Sequence, residues 1–245
     1  MAISQQTLRE EDLTGEGEEP NHKIAELRKG YSINMSDLDK DSLDALEGQL
    51  KLNKSMGVIS DDVPPGAVLH SLLTLNKTGG GKRWVITAMT ANDITVDFYH
   101  FQADNSNELQ QIMKGANHYW VADLTKGYWQ VRLAEDSQWL FCFATPFGPY
   151  KYLRAPMGSK ATAPYFDKCM AGMLEGAGLL RKGVIMIHDD HAGYSENIYD
   201  EDPEGRSHYH LLRRYLKLCA ELNIRISPKK FEVYLKDPDI AGLRS

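Results

Sequence analysis

Apolar positions in the first 36 residues keep no period, and Gly15, Gly17 and Pro20 interrupt any run. From residue 36 a helical spacing emerges. Leu38, Leu43, Leu46, Leu50 and Leu52, behind the candidate caps Ser36 and Asp37, predict a helix over about 36–56, closed by Gly57 and Pro64-Pro65. Residues 66–104 read as β. The run 67–75 is one apolar strand, 82–87 a second, and Lys77-Thr78-Gly79-Gly80-Gly81 a hairpin tip between them. Beyond Asp104 the pattern predicts a helix near 106–115, a strand at 119–124, and short strands near 129–133, 139–144 and 150–154. A helix over 163–174 follows, then a strand at 184–188 that reverses at Asp189-Asp190. Leu211, Tyr215, Leu218 and Leu222 stripe a helix over 207–222, and 231–235 is the last strand. The sum is an α+β chain of antiparallel strands with helices gathered on one side.

Composition changes this picture little. The 245 residues are 42% hydrophobic and 25% charged, which is ordinary for a globular protein. The formal charge of −6 is uneven: residues 1–50 hold 12 acids against 5 bases, leaving 22 acids and 23 bases for the rest. Residues 1–40 are therefore expected to form an acidic, disordered leader. Cys142, Cys169 and Cys219 are widely spaced and form no C-x-x-C pair, which argues for a reducing compartment rather than a disulfide framework. No secretory signal pattern is present, and no apolar run approaches the roughly 20 residues that span a bilayer. A soluble intracellular protein without membrane contact is the expectation.

Two acidic sites follow apolar strands. Asp123 ends the run 119–122, and Asp189-Asp190 end the run 184–188. Unpaired carboxylates beside a core are costly, and Mg²⁺ compensates them while also taking phosphate oxygens as ligands. Two such ions can clamp the attacking and leaving oxygens of a phosphoryl displacement. On spacing alone, a polar β-turn at Asp189-Asp190 is the competing explanation.

Four ordered segments favour the metal site. They are ADLTKGYWQVRL (122–133), TPFGPYKYLRAPMGSKATAPYF (145–166), IHDD (187–190) and HLLRRYLKLCAELNIRISPKKFEV (210–233). In order and spacing this set resembles the reverse transcriptases of gypsy-type LTR retrotransposons and, more distantly, of retroviruses. The resemblance covers about 45–243. It implies an α+β fold of the right-hand polymerase type, with an antiparallel palm sheet backed by helices and a fingers subdomain containing a β-hairpin. Residues 41–118 would be mainly fingers and 119–245 palm, with a fingers segment interleaved at about 137–165. The chain is expected to stop near the end of the palm, without thumb, connection or ribonuclease H segments.

The resemblance also implies roles. Asp123, Asp189 and Asp190, with the carbonyl of Leu124, would hold two Mg²⁺ (or Mn²⁺) while a primer 3′-hydroxyl attacks an incoming dNTP on an RNA or DNA template. Tyr128 would pack under the sugar and exclude a 2′-hydroxyl. Lys77, Lys82 and Arg83 of the fingers hairpin would grip the triphosphate, a task suited to charge-assisted contacts. No Ser or Thr follows Lys82, so the tip is not a P-loop. Gly158 would admit the template–nucleotide pair, with Lys160 on the same loop, and Lys230 would lie near the leaving pyrophosphate. Asn92 keeps the family's spacing from Arg83. Virus-like particles in the cytoplasm would be the setting.

Several positions depart from the family pattern. Thr87 and Met89 replace its Asp and Arg, Ile187 replaces the Tyr before the double Asp, and Ala161-Thr162-Ala163 replaces Asn-Ala-Pro, with Pro164 one place late. These departures leave room for an inactive or co-opted fold that binds nucleic acid or a protein. A third reading is a zinc hydrolase using His188, Asp189, Asp190, His191 and the His208/His210 pair, although no H-E-x-x-H motif is present.

Overall fold

Asp39 opens the first described helix. Its Oδ1 accepts a 2.7 Å hydrogen bond from the Ser42 amide, satisfying a donor that a helix start otherwise leaves bare. Helix α1 (Lys40–Ser55) thus begins later than Ser36 or Asp37 would have it, and it buries Ser42, Leu46, Leu50 and Asn53 on one stripe. Leu52, expected on that stripe, is 51% exposed. The structure, a computed structural model, describes residues 7–8, 39–76, 81–95, 106–199, 207–236, 239–240 and 243–244. Most of the expected leader, and Lys77 with the rest of the hairpin tip at 77–80, lie outside the described residues.

After β1 (Thr7–Leu8) and α1 come β2 (Ile59–Ser60), β3 (Leu69–His70), β4 (Leu72–Asn76), β5 (Lys82–Ile86), α2 (Met89–Ile94) and α3 (Ser106–Ile112). Next are β6 (His118–Asp123), β7 (Arg132–Leu133), β8 (Cys142–Thr145), β9 (Gly148–Tyr152) and α4 (Thr162–Gly176). The chain continues through β10 (Val184–Ile187), β11 (Asp190–Ser195), α5 (His208–Glu221), β12 (Glu232–Leu235), β13 (Asp239–Ile240) and β14 (Leu243–Arg244). It divides into two compact units, one drawn mainly from His100–Gln130 and Phe166–Ser245, the other from Thr7–Tyr99 and Val131–Tyr165.

The first unit is organised by a four-stranded sheet in the order β10-β11-β6-β12, antiparallel throughout. Strand alternation gives the sheet two buried faces. On one, Tyr119, Ile185 and Ala192 pack with Leu109 and Met113. On the other, Trp120 lies opposite Gly193, where a Cβ would collide with its indole. Its ring meets Tyr215 of α5 at 4.4 Å between centroids. Of the predicted α5 stripe, Leu211 and Tyr215 are buried and Leu218 and Leu222 half-buried, with Cys219 buried beside them.

The second unit holds the sheet β2-β9-β8-β3 and a separate β4-β5 hairpin. Its sheet is mixed, because β3 runs parallel to β8, so an all-antiparallel expectation holds only for the first unit. The predicted single strand 67–75 is broken at Ser71, whose carbonyl accepts from both the amide (2.9 Å) and the hydroxyl (3.1 Å) of Thr87. This sends β3 and β4 into different sheets. Within the predicted β stretch 66–104, residues 89–94 form α2 instead, burying Ala91 and Ile94. The strand expected near 139–144 starts only at Cys142, since Glu135–Phe141 coils as a 3-10 turn with Trp139, Leu140 and Phe141 all inside. A continuously apolar run carries no period to separate the two. Among the described residues no helix is long and apolar enough to cross a membrane.

Candidate active site

The carboxylates meet through backbone register. Asp123 is the last residue of β6 and Asp190 the first of β11, and the two are directly paired across the antiparallel ladder. Cross-strand partners leave the same sheet face with Cβ atoms about 5 Å apart. The reversal expected at Asp189-Asp190 lies one residue earlier. Ile187 pairs with Asp190, so the turn is His188-Asp189, with His188 at φ 55 supplying left-handed backbone, and Asp190 belongs to the strand. The Asp189 carbonyl accepts a 2.9 Å bond from the Leu124 amide, tying this turn to the end of β6. Leu124 itself is buried.

Negative charge accumulates here. Burial, then the charges of Asp189 and Asp123, push the Asp190 carboxyl above the usual carboxylate range. Lys230 answers part of it: its Nζ donates to Asp123 Oδ1 at 2.6 Å, and that bond raises the ammonium above its ordinary value. Backbone bonds deliver the lysine, from Ser227 N to Asp123 O (2.8 Å) and from Lys230 N to Ser227 O (3.1 Å). A hard-oxygen donor set that already binds an ammonium and still disfavours ionisation at Asp190 is chemically suited to a divalent cation. Among the described residues no three Asp, Glu, His or Cys side chains converge tightly enough to hold an ion unaided.

Beside the carboxylates, the predicted strand 129–133 is a 3-10 turn over Gly127–Gln130 followed by the two residues of β7. The buried Gln130 amide causes this. Its Nε2 donates to the carbonyls of Thr125 and Arg225 (both 3.0 Å) and its Oε1 accepts from Arg225 N (2.8 Å), curling the chain inward. Tyr128 thereby meets Phe166 edge to face, centroids 5.4 Å apart, and a Cβ on Gly127 would stand 3.1 Å from Asp189 Cβ. Burial and then the Asp189 and Asp167 charges raise the Tyr128 phenol.

The other expected nucleotide contacts belong to the second unit. Lys82 donates to Ser42 Oγ, and Arg83 is exposed on β5 opposite Leu75. Gly158, at φ 104, lies so close to the Ile86 carbonyl that no side chain fits. Asn92 clamps this loop: its Nδ2 donates to Gly158 O (3.0 Å) and its Oδ1 accepts from Lys160 N (2.8 Å).

Residues 76–243 match the family model described as reverse transcriptase (RNA-dependent DNA polymerase). The chain belongs to the reverse transcriptase family. It is 31% identical over 170 residues to the enzymatic polyprotein of Cauliflower mosaic virus (strain Strasbourg), covering 68% of this chain and 23% of that one. For the enzymatic polyprotein of Figwort mosaic virus the identity is 29% over 164 residues, covering 67% and 23%. The Pol polyprotein from transposon 297 of Drosophila melanogaster is 26% identical, covering 65% of this chain and 14% of that one. This reverse transcriptase chain thus spans less than a quarter of those relatives. Among solved structures, the foamy viral protease-reverse transcriptase bound to double-stranded DNA superposes with TM-score 0.72 at 17% identity, covering 88% of this chain and 36% of that one. The same viral enzyme with an RNA/DNA hybrid gives 0.67 at 18%, covering 87% and 26%. The fold is accordingly α+β of the right-hand polymerase type.

The histidines of the zinc reading are engaged separately in this reverse transcriptase. His188 Nδ1 meets Asp167 (2.8 Å), His191 Nδ1 meets Tyr215 Oη (2.9 Å), His208 Nδ1 meets Ser195 Oγ (3.3 Å) and His210 Nδ1 meets Ser207 Oγ (2.8 Å). Two site residues escaped sequence reasoning. Gln130 had a signal, a lone amide inside the apolar segment Tyr128–Val131, whereas Asp167 in the first turns of α4 had none beyond following Phe166.

Proposed function

We propose that this chain supplies the catalytic carboxylates of an RNA-directed DNA polymerase that adds dNTPs to a primer 3′-hydroxyl. The observation that carries this is the register pairing of Asp190 with Asp123, with the Asp189 carbonyl bonded to the Leu124 amide. Asp123, Asp189, Asp190 and the Leu124 carbonyl would hold two Mg²⁺, with Mn²⁺ as a substitute. Bound there, the metal would neutralise phosphate charge and favour an ionised primer hydroxyl. Lys230, bonded to Asp123, would then meet the charge that develops on a departing pyrophosphate. Tyr128 and Phe166 form an aromatic wall beside Asp189 that would crowd a 2′-hydroxyl, selecting deoxynucleotides. We assign the first unit to the palm and the second to the fingers, where Lys77, Lys82, Arg83 and Lys160 would meet the triphosphate and Gly158 the template–nucleotide pair.

The solved relatives with double-stranded DNA and with an RNA/DNA hybrid support template–primer duplexes as the partners. The four ordered motifs and the transposon 297 likeness support a gypsy-type LTR element. The 29% and 31% likenesses to Figwort and Cauliflower mosaic virus support a pararetroviral one. Either would act in the cytoplasm, within particles. Primer extension on an RNA template with dNTPs and Mg²⁺ is the test: the parent extends, Asp189→Ala does not, and rNTPs replace dNTPs only when Tyr128 is replaced by Ala. Equal extension by parent and Asp189→Ala contradicts the reading.

A further inference from the structure

Asp167 is 5% exposed, yet it is a carboxylate. Its Oδ2 accepts a 2.8 Å bond from His188 Nδ1, while Oδ1 is buried without a hydrogen-bond partner. Burial raises its carboxyl above the usual range, against the opposing pull of the His188 contact. An apolar side chain would fill this place at lower cost, because a buried carboxylate needs compensation for every lone pair it takes from water. Packing alone therefore does not account for it. Its partner is equally unusual. His188 has a side chain 52% exposed and a backbone φ of 55, a conformation uncommon outside glycine. It forms, with Asp189, the two-residue turn between β10 and β11.

We propose that Asp167 is a positioning residue of the nucleotidyl-transfer site: by gripping the His188 imidazole it holds the turn that presents Asp189 and starts β11 at Asp190. This inference rests on the polymerase reading above. The grip links helix α4 to the turn by a side chain, where the rest of the anchoring described is backbone: the Ile187–Asp190 pairing and the Leu124–Asp189 bond. Without it, the left-handed residue is free to relax, and the Asp189 carboxylate loses its fixed relation to the Asp123–Asp190 pair. Outer-shell contacts of this kind tune metal sites without touching the metal.

The test uses the full chain and four variants: Asp167→Ala, Asp167→Asn, His188→Ala and the double alanine. Mn²⁺ binding is read by electron paramagnetic resonance of the free ion, and steady-state primer extension runs beside it. Circular dichroism melts establish folding. Should Asp167→Ala fail to fold, Asp167→Asn and the exposed-site variant His188→Ala still decide.

Asp167→Ala and His188→Ala should each weaken Mn²⁺ binding and lower kcat by roughly 10-fold, with little change in dNTP KM. The double variant should be no worse than the worse single, because both act through one contact. Asp167→Asn, which still accepts from Nδ1–H, should lose several-fold less than Asp167→Ala. If Asp167→Asn is as poor as Asp167→Ala while His188→Ala matches the parent, Asp167 acts only as a charge and the proposal is overturned. Additive losses in the double, or unchanged Mn²⁺ binding in both alanine variants, overturn it too. A parent that extends no primer but shows the coupled Mn²⁺ losses sinks the polymerase reading and leaves Asp167 as a positioning residue of a metal site alone. A parent that binds no Mn²⁺ overturns both.

Discussion

The two units place their candidate residues by different means. In the first, a continuous antiparallel ladder sets Asp123 against Asp190, and three more backbone bonds fix Asp189 and deliver Lys230. In the second, strands such as β2 and β3 have two residues each, and the residues expected to meet a nucleotide are exposed, as Arg83, Gly158 and Lys160 are. The Gly158 loop is tied to α2 by an amide side chain, Asn92, and is closed on itself by Thr162, whose hydroxyl donates to the Pro156 carbonyl (2.9 Å). Register is all-or-none, since a one-residue slip would turn every carboxylate to the other face. A side-chain clamp can be loosened by degrees. Removing a carboxylate of the first unit should therefore abolish chemistry, and loosening the clamp of the second should grade nucleotide affinity.

The largest effect should come from Asp190→Asn, which keeps the register but removes the charge. Extension should fall by at least about 10³-fold, some 4 kcal/mol of transition-state stabilisation, with dNTP KM little changed. A loss confined to KM would erase the distinction between the units.

Acid should then separate them thermodynamically. His191, wholly buried in the first unit, has its imidazole pushed down to about 4 from 6.5 by burial. The unfolded chain takes up that proton first as pH falls, so stability is whole above about 6.5 and is lost progressively toward 4. Urea unfolding at pH 7 and 4.5 should differ by roughly 2–3 kcal/mol on this account, and the difference should shrink in His191→Gln. His70 in the second unit is also lowered by burial, but its bond to the Leu140 carbonyl (2.7 Å) opposes the shift. His70→Gln should therefore flatten the curve less. The reverse order would contradict the comparison.

Gly158→Ala forces a Cβ against the Ile86 carbonyl at a left-handed φ, and should cost about 1–3 kcal/mol in urea unfolding. Smallest of all, Asn92→Ala frees the Gly158–Lys160 loop while leaving the carboxylates untouched. Its dNTP KM should rise several-fold, about 1 kcal/mol of lost preorganisation, with kcat nearly unchanged. A collapse of kcat in Asn92→Ala would mean that the loop takes part in the chemistry.

The same contrast explains what the sequence disclosed. The first unit's strands were legible because short apolar runs such as 119–122 and 184–188 end at acids, and α5 because apolar residues such as Leu211 and Tyr215 recur at helical spacing. Asp123 and the Asp189-Asp190 pair were legible as acids ending apolar strands. Their partition was not: that Asp190 is a strand residue and His188 a turn residue depends on which residues pair, which is a long-range fact. The breaks at Ser71 and over Gly127–Gln130 were hidden for a related reason. Thr87 makes one and Gln130 the other, through bonds to residues distant in sequence. The Asp167–His188 contact spans 21 positions and carries no local signature.

Primer extension by the full chain on an RNA template, comparing the parent with Asp190→Asn at saturating Mg²⁺ and dNTP, tests the central claim most directly. A ladder of products is expected from the parent and none from Asp190→Asn, with both proteins folded by circular dichroism. Equal products from the two, or none from a folded parent even with Mn²⁺, would contradict it.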